Sequence, residues 1–554
     1  MTAGEAPTGD RLGPARARIV AGALALAFIL IVAKAASIAL AGGDKVASAG
    51  EAVQSVRRAD IVDRNGDLLA TALTAWSLSA DPRAIWDARE VAEALGGVLP
   101  EVDVEALTTR LSDRDRRFVW VQRGLTPRQK EAVLDLGLEG LRFEEERRRV
   151  YPAGRLAGHL LGFVNIDGKG LEGVEYAFED RLKTGGEPLK LTIDAGVQFA
   201  LEAELERAAG EFDMLGAAGV VVDARTGAVR AIASWPFIDP NKPTGATETE
   251  RVNRAMKSVF ELGSVYKPLT VAAALEDGKL SLDETFDVSK PLPVGNAFVR
   301  DLHPIENAEA ATPADILAHS SNVGAAMIGA RLGADGERAF LEAVGLTARP
   351  AFEGPSASAP LLPAKWTDLT VATVSYGHGI AVTPLAFAMS YVPFANGGDY
   401  LPPAILEPVE TSRIERRRVM SRETASAMIS LLRGVVTRGT GTNADAPGYE
   451  VAGKTGTAEK PGPDGYDANR NVTSFAAIFP ASRPEFVVLI VLDEAQPKSG
   501  DPRTAAYTSA AIAGRFITRA APLLDVKPVL ASLNAPPALP VRAQPEKPAE
   551  RPDL

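Results

Sequence analysis

Three short stretches of the chain carry side chains whose types and order suit acyl transfer. FELGSVYKPLT holds Ser264 and Lys267, AHSSNVGAA holds Ser320, Ser321 and Asn322, and GYEVAGKTGTAEK holds Lys454, Thr455, Gly456 and Thr457. A serine hydroxyl is a weak nucleophile near neutral pH and needs an adjacent base. Residues i and i+3 share a helix face, so Lys267 can reach Ser264. Lys267 serves as base only when neutral, and burial with nearby cations must bring it down from about 10.4 toward neutrality. That demand costs the fold roughly 4–5 kcal/mol. Lys454 supplies part of the positive field and can bind a substrate carboxylate, helped by the hydroxyls of Thr455 and Thr457. Ser320 can relay a proton to a leaving amine, and Asn322 can hydrogen-bond a donor peptide. The oxyanion falls between the backbone N–H groups of Ser264 and Thr457 when the strand bearing Thr457 faces the nucleophile. Ser321 and Gly456 complete the substrate-binding set. Singly, each stretch has an ordinary reading: a helix cap at Ser264, another at Ser320–Ser321, a charged edge strand at Lys454. Their joint occurrence favours chemistry.

Two other machines are weighed against this one. Gly448-xxxx-Gly453-Lys454-Thr455 matches the phosphate-cradling P-loop, which needs a buried strand before it and a helix after it. Upstream stands TRGTGTNADAP, with no apolar run, and Gly456, Pro461 and Gly462 break any helix downstream. YEVAGKTGTAE alternates as a strand does, and VVLIVLDE reads as its buried neighbour. A Ser-His-Asp hydrolase lacks its GxSxG elbow here. The four histidines (His159, His303, His319, His378) have no metal-ligand spacing, and there is no cysteine, so neither metal nor cofactor is called for.

The elements that must position these residues follow from the rest of the chain. At 554 residues, with 46% hydrophobic and 24% charged residues, it has room for two or three globular domains. A net charge of −11 argues against a nucleic-acid surface. Residues 19–40 form an apolar run behind Arg11, Arg16 and Arg18, long enough to span a bilayer, with Lys34 placed to snorkel. Basic residues on the leading side keep residues 1–18 in the cytoplasm and put the remainder outside; a cleaved signal ending at Ala39-Leu40-Ala41 is the rival reading. RRADIVDRNGDLLATAL reads as a hairpin about Asn65-Gly66, and residues 84–140 read as amphipathic helices. A new domain opens near LKLTIDAGVQFALEAELERAA, and AAGVVVDARTGAVRAIASW is a second hairpin. The Pro-rich residues 521–554 read as a solvated tail. The expected plan is a pedestal over 41–190 and a catalytic domain over 191–520.

The three motifs, in this order, resemble the set found in penicillin-binding proteins. RRADIVDRNGDLLA, RRVYPAGRLAGHLLGFVNIDGKGLEGVEYAFEDRL, LTIDAGVQ, NRAMKSVFELGS, SYGHGIAVTPLAFA and VVTRGTGTNA extend the likeness. The chain is thus similar to the class B penicillin-binding proteins, and within them to the division-specific peptidoglycan D,D-transpeptidases. The resemblance implies an α+β fold: a single transmembrane helix, an elongated non-catalytic pedestal (a dimerisation-type domain), and a transpeptidase domain with a five-stranded antiparallel sheet flanked by helices. It implies an acyl-enzyme on Ser264, formed from a D-Ala-D-Ala stem peptide and resolved by an acceptor amine, with β-lactams as covalent inhibitors. It also implies an inner-membrane location with the catalytic domain in the periplasm, and division partners including a lipid II-polymerising glycosyltransferase of the FtsW type. An elongation-specific relative and a silent penicillin-binding sensor are the alternatives. Departures from the pattern are Leu262, His319 and His378.

Overall fold

The computed structural model describes residues 57–529 apart from 304, 306, 307, 410–415, 463 and 464, together with the isolated residues 22, 26 and 29. The anchor expected over 19–40 and the tail beyond residue 529 therefore lie outside the described residues, the isolated three aside. Among the described residues, no helix is long and apolar enough to cross a membrane. Within the span read as tail, Ala521, Leu524 and Val526 are buried against the body. The described residues from Arg58 onward form one compact unit.

The N-terminal part of that unit is built on Leu68–Ala80, a long strand that pairs antiparallel with Ile61–Val62, Val119–Leu125 and Leu141–Val150. Gly66 turns the first hairpin with φ +98°, a conformation open to glycine. Three helices cover this sheet: Ala88–Val98 and Val104–Ser112, capped by Asp87 and Asp103, and Pro127–Leu134, started by a Thr126–Gln129 capping box. Their apolar faces meet at Leu78, Leu95, Leu107, Leu111 and Leu125. The stretch 84–140, expected to be helical, thus also contains the strand Val119–Leu125. Its β-rich VWV start and its place beside Leu68–Ala80 outweigh the helical pattern on either side.

This part is stitched to the remainder at several places, among them Tyr151 to Asn241 and Ala157 to Glu202. Ile61–Val62 pairs parallel with Leu189–Lys190, and Asp63 accepts the N–H of Ala195 at 3.0 Å, at the head of helix Ala195–Glu211. Nearby, Arg58 and Arg149 both hydrogen-bond the buried Glu175, at 2.7 and 2.6 Å.

The larger part is organised by an antiparallel sheet in the order Ala452–Gly462, Gly465–Phe479, Phe486–Asp493, Gly216–Asp223, Val229–Trp235. This is the five-stranded antiparallel sheet expected. Phe486–Asp493 explains the unbroken apolar run: Val487, Leu489 and Val491 enter one core while Val488, Ile490 and Leu492 enter the other. A strand with both faces covered needs no polar face. Helices Ala195–Glu211 and Ser509–Ala520 cover one face, meeting at Leu201, Leu205, Phe516 and Ile517. The other face lies against the helical half, which includes Lys267–Glu276, Asn322–Ala343 and Arg422–Arg438. Ala452–Gly462 is the sheet edge, next to the turn Gly263–Tyr266. The phosphate-cradle alternative fails there, since Lys454 and Thr455 lie within a strand and open no helix.

Candidate active site

Ser264 lies in the 3-10 turn Gly263–Tyr266, which runs directly into helix Lys267–Glu276 with Pro268 in its first turn. In a 3-10 turn residues i and i+3 eclipse, which stacks Ser264 and Lys267 on one face. The turn approaches the sheet edge so closely that side chains would not fit. A Cβ on Gly456 would stand 2.2 Å from the Leu262 carbonyl, and one on Gly263 would stand 2.6 Å from the Thr457 carbonyl. Gly263 also has φ +62°. From the adjacent strand, Ser474 donates its hydroxyl to the Leu262 carbonyl at 2.9 Å, fixing the approach.

Ser320 ends helix Pro313–His319 in the left-handed region at φ 63°, and Ser321 caps helix Asn322–Ala343 by accepting the N–H of Gly324. This reversal delivers the Ser320 hydroxyl to both lysines. Lys267 Nζ donates to Ser320 Oγ at 3.1 Å and to its carbonyl, and Lys454 Nζ donates to the same Oγ at 3.0 Å. Lys454 also donates to the Thr455 carbonyl at 3.0 Å. Both lysines are 0% exposed, whereas Ser264, Ser320, Asn322 and Thr457 are half-buried. The amines are sealed inside, while the residues around them keep partial exposure.

Burial, followed by the neighbouring Lys454, holds the Lys267 ammonium well below the usual lysine range, with Asp301 opposing. Burial alone brings Lys454 down to about 7. Two ammonium groups sharing one hydroxyl repel, so the neutral form of one amine is favoured near neutral pH. That is the condition for a lysine base.

The structure thus brings Ser264, Lys267, Ser320, Lys454 and the Gly456 edge together. Two hydroxyls have protein partners: Thr455 Oγ1 lies 2.7 Å from Thr440 Oγ1, and Thr457 Oγ1 accepts the N–H of Ala505 at 3.2 Å. Asn322 donates its side-chain N–H to the Arg300 carbonyl at 3.2 Å, and Ser321 donates its hydroxyl to Asp301 at 2.7 Å. Sequence reasoning missed three residues here. Asp301 had no motif to mark it, and Thr440, though within VVTRGTGTNA, has no role legible there. His378, named only as a departure from the family pattern, packs on Tyr376 and Tyr466 with ring centroids 5.4 and 5.3 Å away. Burial, then Lys267, lowers His378 to about 4, so it is neutral at pH 7. A cavity of about 300 Å³ opens beside the turn, lined by Phe260, Glu261, Leu361, Leu362, Lys460 and Pro461 among others. Among the described residues, no group of three or more acidic or histidine side chains could hold a metal ion.

Residues 217–516 match the penicillin binding protein transpeptidase domain, and residues 53–187 match the penicillin-binding protein dimerisation domain. This chain belongs to the penicillin-binding protein family. As a class B penicillin-binding protein it is 42% identical to a probable peptidoglycan D,D-transpeptidase FtsI of Caulobacter vibrioides, over 85% of this chain and 82% of that one. It is 28% identical to the peptidoglycan D,D-transpeptidase FtsI of Escherichia coli, with 87% of each chain covered. Penicillin binding protein 3 of Mycobacterium tuberculosis, solved in complex with ampicillin, superposes with a TM-score of 0.69 at 27% identity, covering 88% of this chain and 98% of its own. The penicillin-binding protein described here is accordingly an enzyme, a peptidoglycan D,D-transpeptidase of the FtsI type.

Proposed function

We propose that this transpeptidase cross-links peptidoglycan during septal wall synthesis through an acyl-enzyme on Ser264. Neutral Lys267 takes the Ser264 proton as the hydroxyl oxygen attacks the carbonyl of the donor's penultimate D-Ala. The N–H groups of Ser264 and Thr457 receive the oxyanion, and Lys454, Thr455 and Thr457 hold the donor's terminal carboxylate. Ser320 passes a proton to the departing D-Ala amine, leaving an ester on Ser264. An acceptor amine then attacks the ester, loses a proton along the same path, and leaves as the new amide while Ser264 regains its hydrogen. Asn322, Ser321 and Gly456 shape the donor groove. β-Lactams enter as donor mimics and stay on the serine.

The observation that carries this reading is the Ser320 hydroxyl lying 3.1 and 3.0 Å from two fully buried lysine amines beside the Ser264 turn. Ser264→Ala is expected to abolish covalent labelling by a fluorescent penicillin while circular dichroism remains that of the folded protein. Labelling that persists in the folded variant refutes Ser264 as nucleophile.

The apolar run over 19–40 supports a retained anchor, with residues 41–190 as an elongated pedestal and 191–520 as the periplasmic catalytic domain at the inner membrane. The likeness to FtsI-named relatives supports division partners, including an FtsW-type lipid II polymerase. Depletion is expected to give filamentous cells; rounded cells would assign the enzyme to elongation instead.

A further inference from the structure

The two buried amines at Ser320 have no carboxylate within ion-pairing distance among the described residues, yet one stands behind the serine pair. Asp301 follows the short hairpin of Leu292–Val294 and Ala297–Val299 and is half-buried. Its Oδ1 accepts the N–H of Val323 at 3.0 Å and that of Asn322, and its Oδ2 accepts the Ser321 hydroxyl at 2.7 Å. The adjoining Arg300 carbonyl accepts the Asn322 side chain. With Ser321 bonded to the Gly324 N–H, two side chains satisfy three of the amides that every helix leaves unpaired at its start. A negative group there also meets the positive end of the helix.

An ordinary helix cap would explain that much. Two further observations reach beyond a cap. Ser320, the residue immediately before, is held at φ 63°, where a serine needs outside support, and its hydroxyl is the bridge between the lysines. Asp301 also acts electrostatically on Lys267, in the sense opposite to burial and Lys454. The charged or titratable groups facing Lys267 are Lys454 from the edge strand, Asp301 from the hairpin arm and His378 from the loop after helix Asp368–Val374.

We propose that Asp301 is a positioning residue of the transpeptidase, clamping Ser321 and the start of helix Asn322–Ala343 so that Ser320 bridges Lys267 and Lys454. Its charge also sets the pH at which Lys267 becomes a base. This rests on the roles assigned above to Ser264 and Lys267. Neutral Lys267 is the active form, so acylation rises with pH; removing the Asp301 charge favours the neutral amine and moves that rise to lower pH.

The test is the pH profile of acylation by a fluorescent penicillin, expressed per titratable active site so that unfolded protein is not counted. Asp301→Ala loses both clamp and charge, and acylation is expected to slow on the order of 100-fold. Asp301→Asn keeps an oxygen for the two amides; it is expected to retain most of the maximal rate while its acid limb moves down by roughly one pH unit. Should Asp301→Ala fail to fold, the Asp301→Asn profile decides alone. Wild-type rates and an unmoved limb in the folded variants would reduce Asp301 to a cap and overturn the proposal. Ser264→Ala run in parallel separates the outcomes: labelling of that control sinks the catalytic reading, whereas a blank control with unaffected Asp301 variants sinks only this inference.

Discussion

Two of the buried charge clusters among the described residues are balanced in opposite ways. In the N-terminal part, Glu175 is 0% exposed and receives hydrogen bonds from two arginines, Arg58 and Arg149, with Tyr151 donating to the same carboxylate at 3.3 Å, and Glu179 pairs with Arg58 at 2.9 Å, so two carboxylates meet two guanidiniums. At the candidate active site, Lys267 and Lys454 are equally buried, but a hydroxyl stands between them where the other cluster has a carboxylate. Guanidinium stays charged under all ordinary conditions, so the arginine cluster cannot relax by losing a proton. The lysines can, and burial drives them to it. The balanced cluster ties segments of the N-terminal part to one another; the unbalanced one is free to exchange protons. Buried charge without a partner, at the head of a groove, is the mark of chemistry here.

The sharpest break in this contrast is Lys267→Met, which fills the same space without a titratable group. Acylation by a fluorescent penicillin is expected to fall by about 10²–10⁴, the span of general-base contributions, while the thermal midpoint holds or rises. A fall in both would show that Lys267 supports the fold and is no strained base. Glu175→Gln should do the reverse. Removing the carboxylate leaves Arg149 buried without its ion-pair partner and Arg58 with Glu179 alone, a loss of about 3–5 kcal/mol measurable by denaturant unfolding, with acylation per folded molecule unchanged.

Next comes Gly456→Ala, whose methyl must push the edge strand from the Leu262 carbonyl. Acylation should drop roughly 100-fold, as small displacements of reacting groups commonly cost. An unaltered rate would mean that the turn and the strand need not touch.

The smallest expected effect is on the pH dependence of stability. Lys454 sits at about 7 in the folded protein and near 10.4 when unfolded, so across that window the unfolded chain binds more protons. Stability should therefore rise with pH from about 7 to about 10, and Lys454→Met should flatten the rise. Thermal midpoints recorded across that window at fixed ionic strength measure the slope, and equal slopes in both proteins would show that Lys454 is not depressed.

Residue types and order made the main site legible: serine with lysine one turn on, a paired serine and asparagine, and lysine-threonine-glycine on a strand. What the sequence withheld are contacts made across the fold. Asp301 is one carboxylate in VRDLHP with no spacing to tie it to Ser321. Thr440 stands in VVTRGTGTNA, a stretch that carries the family likeness but shows nothing of its partner, and its hydroxyl lies against that of Thr455. The crowding of Gly263, Gly377 and Gly456 is equally hidden, because each glycine alone is an ordinary turn or strand residue. A Cβ on Gly377 would come within 2.1 Å of the Gly263 carbonyl. In the N-terminal part, Val119–Leu125 was masked by amphipathic helices on both sides. Its strand character comes from the neighbour it pairs with, and pairing partners are invisible to local periodicity.

The sealing of both amines has a consequence for what becomes of a bound acyl group. Along the proposed route, protons pass between the buried amines and the outside by way of the Ser264 and Ser320 oxygens. Once Ser264 carries an ester, its oxygen can no longer carry them and Ser320 remains. A stray water molecule must give up its proton along that same path without contacts in the groove to hold it in line, whereas an acceptor amine is guided there and is the better nucleophile. The same closure that favours bond exchange over wasteful hydrolysis leaves a trapped inhibitor stranded on the enzyme.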